Sequence, residues 1–192
     1  IDPVLSMALG AGETTLERLT TAYAMLVNGG KKISPSLIDR VQNRNGETIE
    51  KHDDRLCINC NLEELDSILE PKIVDSREQI IDPVKAYQVV SMLEGSVLRG
   101  TGKKVSVIKK PIAGKTGTTN DSNDTWFIGF TPDLVAGVYV GFDTPKSLGP
   151  RETGASVASP IFRDFMYLAL ENEKGTPFRI PSKAQLVKIN LK

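Results

Sequence analysis

The 192-residue sequence is poor in the residues that most often build metal and redox centres, with one histidine, two cysteines and one tryptophan. It has no surplus of either charge: Lys plus Arg number 24 and Asp plus Glu 24, so nothing draws the chain toward nucleic acid or an anionic membrane. Nor does any apolar run approach the roughly 18 residues that span a bilayer. The opening Ile1-Asp2-Pro3 has neither the basic stretch nor the apolar core of a secretion signal, and without an initiator Met the chain is expected to start inside a longer gene product. What is present, 40% hydrophobic and 25% charged residues, suits a folded domain with one sizeable core rather than a disordered tail.

The cysteines form a single Cys57-x-x-Cys60 pair just after the only histidine, His52. With Asp53 or Asp54 these residues reach the ligand count of a zinc site, but structural zinc usually shows a second pair at recognisable spacing. A local disulfide in an oxidising compartment and a pair of free thiols are the other readings. A thioredoxin-like redox site is excluded by context, because the pair follows the charged stretch His52-Asp53-Asp54-Arg55 and not a strand feeding a helix.

Thr14-Thr15-Leu16-Glu17 reads as a capping box, and Leu16, Leu19, Tyr23 and Leu26 continue at helical spacing until Gly29-Gly30. Residues 33–49 carry Pro35 and an Asn45-Gly46 turn between Val41 and Ile49, the signal of a poorly hydrophobic hairpin at the surface. Residues 52–82 mix acidic residues, Asn and one proline, and are expected to connect with little regular structure. Asp82-Pro83 then caps a second helix whose stripe is Val84, Tyr87, Val90 and Met92 or Leu93, ended by Gly100-Thr101-Gly102. A short strand over residues 111–119 precedes a hairpin of Thr125 to Phe130 against Leu134 to Phe142, in which Gly129, Gly137 and Gly141 mark close approach of a neighbour. Ser159-Pro160 caps a last helix with Ile161, Phe165, Leu168 and Ala169 on one face. This order gives an α+β class with an antiparallel sheet flanked by helices.

Spacing eliminates two of three glycine-centred segments. Gly114-Lys115-Thr116 fits the end of a Walker A loop, but the first glycine position falls on Lys109; Gly100-Thr101-Gly102 fails as a dinucleotide fingerprint because its sixth position is Val105. What remains is Lys115-Thr116-Gly117-Thr118. Such a strand at a sheet edge lines a cleft with one amine, two hydroxyls and free backbone N–H groups, a set suited to a peptide carboxylate and a carbonyl that becomes an oxyanion. Gly117 lets a ligand come close. Taken alone, the tripeptide also reads as an edge strand with a solvated lysine. Trp126 is expected to be core with its indole N–H bonded, and Arg151-Glu152 to be a solvated ion pair in a turn.

The surroundings extend that motif. Ile112 to Asp121, then Asp124-Thr125-Trp126-Phe127-Ile128-Gly129-Phe130-Thr131-Pro132 and Val138 to Asp143, resemble the transpeptidase domain of class A penicillin-binding proteins. Arg99-Gly100-Thr101-Gly102-Lys103-Lys104, Asn28-Gly29-Gly30, Glu152-Thr153-Gly154 and Ser159-Pro160-Ile161-Phe162 are similar to that family too, so the resemblance runs from residue 6 to about 170. It implies the transpeptidase fold shared with serine β-lactamases, present here in part: residues 1–170 as the C-terminal portion of the domain and 171–192 as a tail or added strand. It also implies cross-linking of peptidoglycan stem peptides through an acyl-serine that β-lactams intercept, without cofactor, metal or nucleic acid. By position, Lys115 would support proton transfer beside the family's Ser-x-Asn serine. Thr116 and Thr118 would bind the carboxylate beside Gly117, and the Thr118 N–H would be one of two oxyanion donors, worth about 2.7 to 4 kcal/mol elsewhere. The parent protein would sit at the cytoplasmic membrane facing the periplasm, with a separate glycosyltransferase domain.

The other two family motifs have no match. Ser106-Val107-Ile108-Lys109 satisfies Ser-x-x-Lys as text but lies only a few residues before Pro111, whereas the family's pair shares a turn of a buried helix; after Ser122, Asp124 stands where Ser-x-Asn needs asparagine. The chain alone is therefore expected to form no acyl-enzyme. An inactive interaction module and a serine β-lactamase-like hydrolase are the competing readings.

Without the upstream strands and nucleophile helix, the sheet is expected to leave apolar surface and an open edge. The isolated chain should pair with its upstream half, self-associate or rearrange; sedimentation showing a monodisperse monomer, together with one cooperative melt, would contradict this.

Overall fold

The computed structural model describes residues 5–10, 12–53, 55–60 and 70–187. The chain divides into two compact units, residues 1–31 with 80–192, and residues 32–79. Among the described residues no helix is long and apolar enough to cross a membrane.

The smaller unit consists of two ribbons. β1 (Arg40–Gln42) pairs antiparallel with β2 (Thr48–Lys51) across the expected turn, with a bulge between Val41 and Gln42. Asn43 Oδ1 accepts from the N–H groups of Asn45 and Glu47, and Gly46 takes the left-handed φ of +85° that the turn needs. β3 (Leu56–Ile58) pairs with β4 (Lys72–Val74), so residues 52–82 contain more regular structure than expected. Three-residue strands are too short to show a period of two, which is why the sequence hid them. Every strand residue here is exposed. Among its described residues the unit is held by two polar clamps, Arg55 on Asp53 at 2.5 Å and Arg77 on Asp75 at 2.8 Å, and by a Cys57–Cys60 disulfide. The Arg55 guanidinium holds the Asp53 carboxyl below the usual carboxylate range. The disulfide takes both thiols away from a metal, and the His52 Nε2–H donates to Ser34 O. Asp54, also named for that site, lies outside the described residues.

In the larger unit α1 (Leu16–Val27) starts from Thr15, whose hydroxyl accepts from Arg18 N; the cap is therefore one-sided and sits one residue later than the Thr14–Glu17 box. α2 (Pro83–Arg99) starts as read, Asp82 accepting from Val84 N and Lys85 N with proline at the first helical position. Gly100 closes it and a short 3₁₀ helix, Lys103–Ile108, leads into the sheet. β5 (Ala113–Thr118), β6 (Thr125–Phe130) and β7 (Val135–Val140) form an antiparallel sheet in the order β5-β6-β7, leaving β5 and β7 as edges.

Alternation along the strands divides the core in two. Ala113 and Phe130 face Val90 of α2, Tyr23 and Leu26 of α1, and Phe178. On the opposite side Phe127 meets Val105, Ile108, Phe162, Met166 and Leu170. Phe162 and Met166 belong to α3 (Ser159–Ala169), which continues a wide helical turn, Gly154–Ala158, capped by Thr153 with Ser156 in a reciprocal box. The helical run thus starts earlier than Ser159, whose buried hydroxyl has no partner among the described residues.

The buried face of α3 also differs from expectation. Phe162, Met166 and Leu170 point inward, while Ile161, Phe165 and Leu168 are exposed. Two apolar stripes, each compatible with helical periodicity, compete on this run, and the sheet selects between them. A Cβ on Gly129 would lie 2.6 Å from the Phe162 ring and 2.8 Å from the Phe127 ring, so the missing side chain lets Phe162 seat against the sheet beside Phe127. Gly137 similarly leaves room for Leu16 and Thr20 of α1.

Beyond α3 the chain is irregular, with no added strand among the described residues. It is pinned where Lys110 Nζ donates to Leu170 O and, at 2.7 Å, to Glu173 O, and where the Phe178 ring meets Phe130 edge-on at 5.7 Å.

Phe162→Ala should cost about 3–5 kcal/mol, the range for emptying a buried aromatic site, and Phe165→Ala less than about 1 kcal/mol. Urea unfolding measures both; equal losses would refute the assigned face.

Candidate functional site

β5 carries all four residues singled out from the sequence, and its phase against β6 decides what each can do. The register pairs Lys115 with Ile128, Thr116 with Phe127, Gly117 with Trp126 and Thr118 with Thr125. Just beyond the strands, Thr119 N–H donates to Asp124 O at 3.0 Å. Since hydrogen-bonded and non-hydrogen-bonded pairs alternate in an antiparallel ladder, Gly117 and Lys115 bond across to β6. Thr116 and Thr118 then direct their N–H and C=O groups away from β6, to the open edge. The Lys115 amine turns to that edge as well, donating to Thr116 O at 2.9 Å.

The side chains follow the pleat. Lys115 and Gly117 lie on one face and Thr116 and Thr118 on the other. Lys115 and Thr118 are exposed, Thr116 and Gly117 half-buried. Each threonine hydroxyl has a partner that sequence reading did not supply. Thr116 Oγ1 lies 2.8 Å from Thr101 Oγ1, and Thr118 Oγ1 accepts from Gly154 N at 3.0 Å. Both partners are remote in sequence; the only available signal was that they belong to the short stretches resembling the same family as β5.

Gly154 sits directly on the strand pair. A Cβ there would lie 2.5 Å from Gly117 O and 2.6 Å from Trp126 O, both backbone atoms that cannot swing aside. The preceding turn is held by Ser156 Oγ, which donates to Glu152 Oε2 at 2.9 Å. Glu152 is thus engaged by Ser156, correcting the solvated Arg151–Glu152 pair expected from sequence. Trp126 is half-buried rather than core; it covers the Gly117 side of the sheet and packs against Tyr139 with ring centroids 4.7 Å apart and the planes tilted by 56°.

The loop closing β5 and β6 is bound at several points. Asp124 N donates to Thr119 Oγ1 at 2.8 Å, and Tyr139 OH donates to Asp124 Oδ1 at 2.7 Å. That bond, more than burial, pushes the Tyr139 phenol up from its usual value. Asp121 and Ser122 take left-handed φ angles of 58° and 54°, and their carbonyls accept from Ser147 Oγ and Leu148 N. This fixes the end of β5 that carries Thr118.

Ser106 is not placed for nucleophilic work. Its hydroxyl donates to Lys103 O at 2.8 Å within the 3₁₀ helix, and Lys109 has already left the helix with φ of 57°. A cleft of roughly 230 Å³ lined by Lys110, Asp133, Leu170 and Thr176 lies at the other end of the sheet, by the Thr131–Leu134 turn, and takes no part in this edge. The edge can therefore hold a carboxylate with hydroxyl and ammonium donors and an oxyanion with outward N–H groups, while supplying no nucleophile.

Residues 3–167 match the family described as the penicillin binding protein transpeptidase domain. The chain is 47% identical over 191 residues to penicillin-binding protein 1A of Rickettsia typhi, covering 97% of this chain and 24% of that protein. To penicillin-binding protein 1A of Neisseria gonorrhoeae it is 37% identical over 179 residues, covering 92% and 20%. Among solved structures, penicillin-binding protein 1A from Haemophilus influenzae superposes with a TM-score of 0.75 at 27% identity, covering 93% of this chain and 29% of that one. PonA1 from Mycobacterium tuberculosis in complex with penicillin V gives 0.68 at 22% identity over 94% and 45%, a likeness of fold alone. The chain spans about a quarter of the length of the curated relatives it matches.

Gly154→Ala should destabilise the larger unit by about 2 kcal/mol or more, as forced backbone contacts do, measured by chemical unfolding. Unchanged stability would mean that Gly154 does not rest on β5 and β6.

Proposed function

The chain belongs to the penicillin-binding protein transpeptidase family, and from this we propose that it supplies the Lys-Thr-Gly-Thr wall of a D,D-transpeptidase site whose nucleophile lies in an upstream part of a longer protein. Residues 1–170 are the C-terminal portion of the transpeptidase domain, and 171–192 an appended tail. The observation that carries this reading is the phase of β5: the two threonine N–H groups and the Lys115 amine share one open edge.

At that edge the stem peptide lies antiparallel to β5, its terminal carboxylate taken by the hydroxyls of Thr116 and Thr118. The upstream serine attacks the carbonyl of the penultimate D-alanine, and the Thr118 N–H donates to the oxyanion that forms. D-alanine leaves with a proton, the acyl group stays on the serine, and an amine of a neighbouring stem peptide displaces the serine to make the cross-link. Lys115 favours proton transfer by placing its ammonium beside the hydroxyl that relays the proton. A β-lactam presents the same carboxylate and a reactive carbonyl and enters the same place.

The parent protein acts on the periplasmic side, anchored in the cytoplasmic membrane, and carries a separate glycosyltransferase domain. Identity of 47% to penicillin-binding protein 1A supports that arrangement.

Intact-mass measurement after incubation with benzylpenicillin tests this reading. The 192-residue chain should gain no mass and the full-length protein one penicilloyl group. In the full-length protein, Lys115→Ala should slow acylation about 100-fold, the lower bound for a lost proton-transfer group. Stoichiometric acylation of the isolated chain would overturn the assignment and make Ser106 or another serine here the nucleophile.

A further inference from the structure

Resting on the reading of β5 as the carboxylate-binding wall, we propose that Thr101 is a positioning residue, which donates its hydroxyl proton to Thr116 Oγ1 and thereby turns the Thr116 proton out toward the ligand carboxylate. The argument is one of proton counting. A threonine hydroxyl carries one proton and two lone pairs. Thr118 Oγ1 accepts from Gly154 N–H, a group that can only donate, so the Thr118 proton is available to an incoming anion.

Thr116 is in the same situation only if Thr101 is the donor in the 2.8 Å contact between their hydroxyls. In the opposite arrangement Thr116 spends its proton on Thr101 and turns a lone pair toward the ligand, which repels a carboxylate. A carboxylate accepts and does not donate, so its arrival selects the first arrangement, and a charge-assisted hydrogen bond stabilises it. Each hydroxyl of the wall is then backed by one donor from a neighbouring element, Thr101 for Thr116 and Gly154 for Thr118.

Thr101 is held firmly enough to do this. The carbonyl of Ser96, in the last turn of α2, collects the N–H groups of both Gly100 at 3.0 Å and Gly102 at 3.1 Å. The single residue between them is fixed at both sides, while its own side chain is exposed and free of the core. Removal of that hydroxyl therefore alters the wall and leaves the packing alone.

The test compares Thr101→Val and Thr101→Ser with the unsubstituted full-length protein, reading the second-order rate of acylation by benzylpenicillin and by its methyl ester. With benzylpenicillin, Thr101→Val should be slower by about tenfold or more, the scale of a lost bond to a charged group, and Thr101→Ser should stay within about threefold of the unsubstituted protein. With the ester, which has no anion to receive the Thr116 proton, Thr101→Val should fall within about twofold of the unsubstituted protein. Acylation of Thr101→Val at the unsubstituted rate, failure of serine to rescue, or an equal loss on the ester would each overturn the role of Thr101. If the unsubstituted protein takes up no penicillin at all, the reading of the β5 wall falls, and this inference with it; if it is acylated normally and Thr101→Val matches it, only the inference fails.

Discussion

The bond from Thr119 N–H to Asp124 O sets the phase of the β5–β6 ladder, and the candidate site depends on that phase. A shift of one residue would send the N–H groups of Thr116 and Thr118 into β6 and leave those of Lys115 and Gly117 at the edge, exchanging the two faces at the same time. Both ends of the strand pair oppose such a slip. At the loop end Asp124 is tied to Thr119 and Tyr139; at the other end Gly129 is the position that clears the Phe162 ring. A core contact and a polar turn therefore fix the same register independently.

Much of this was legible because the signals were local. The Asp82 cap with Pro83, the Asn45-Gly46 turn and the apolar hairpin run from Thr125 to Phe142 are each written in one short stretch of chain. The site motif was legible for the same reason, since Lys115 to Thr118 are consecutive. What escaped were choices made by distant partners. Spacing alone could not decide between the Ile161–Phe165–Leu168 and Phe162–Met166–Leu170 stripes, because the deciding feature is a missing side chain at Gly129 on another element. The partners of Thr116 and Thr118 lie 15 and 36 residues away. β3 and β4 offered no alternation and no turn dipeptide to find.

The two units solve the problem of order in different ways. The larger has two apolar clusters on either side of one sheet, with Phe127 and Phe130 facing opposite ways from the same strand. The smaller exposes Ile49, Leu56 and Ile73 and relies on a disulfide, two guanidinium–carboxylate clamps and turn hydrogen bonds. Half-exposed ion pairs are worth little individually, so among its described residues order rests on turn hydrogen bonds and a local covalent link more than on burial.

The contact between Tyr23, Phe130 and Phe178 has a consequence in time as well as in space. The first two rings are more than a hundred residues apart in sequence, and the third arrives last. During synthesis α2 reaches α1 before β6 does, and the Phe178 ring closes over Phe130 only after residue 178 has cleared the ribosome. This cluster is therefore completed by contacts of long sequence separation, the kind that closes slowly and last.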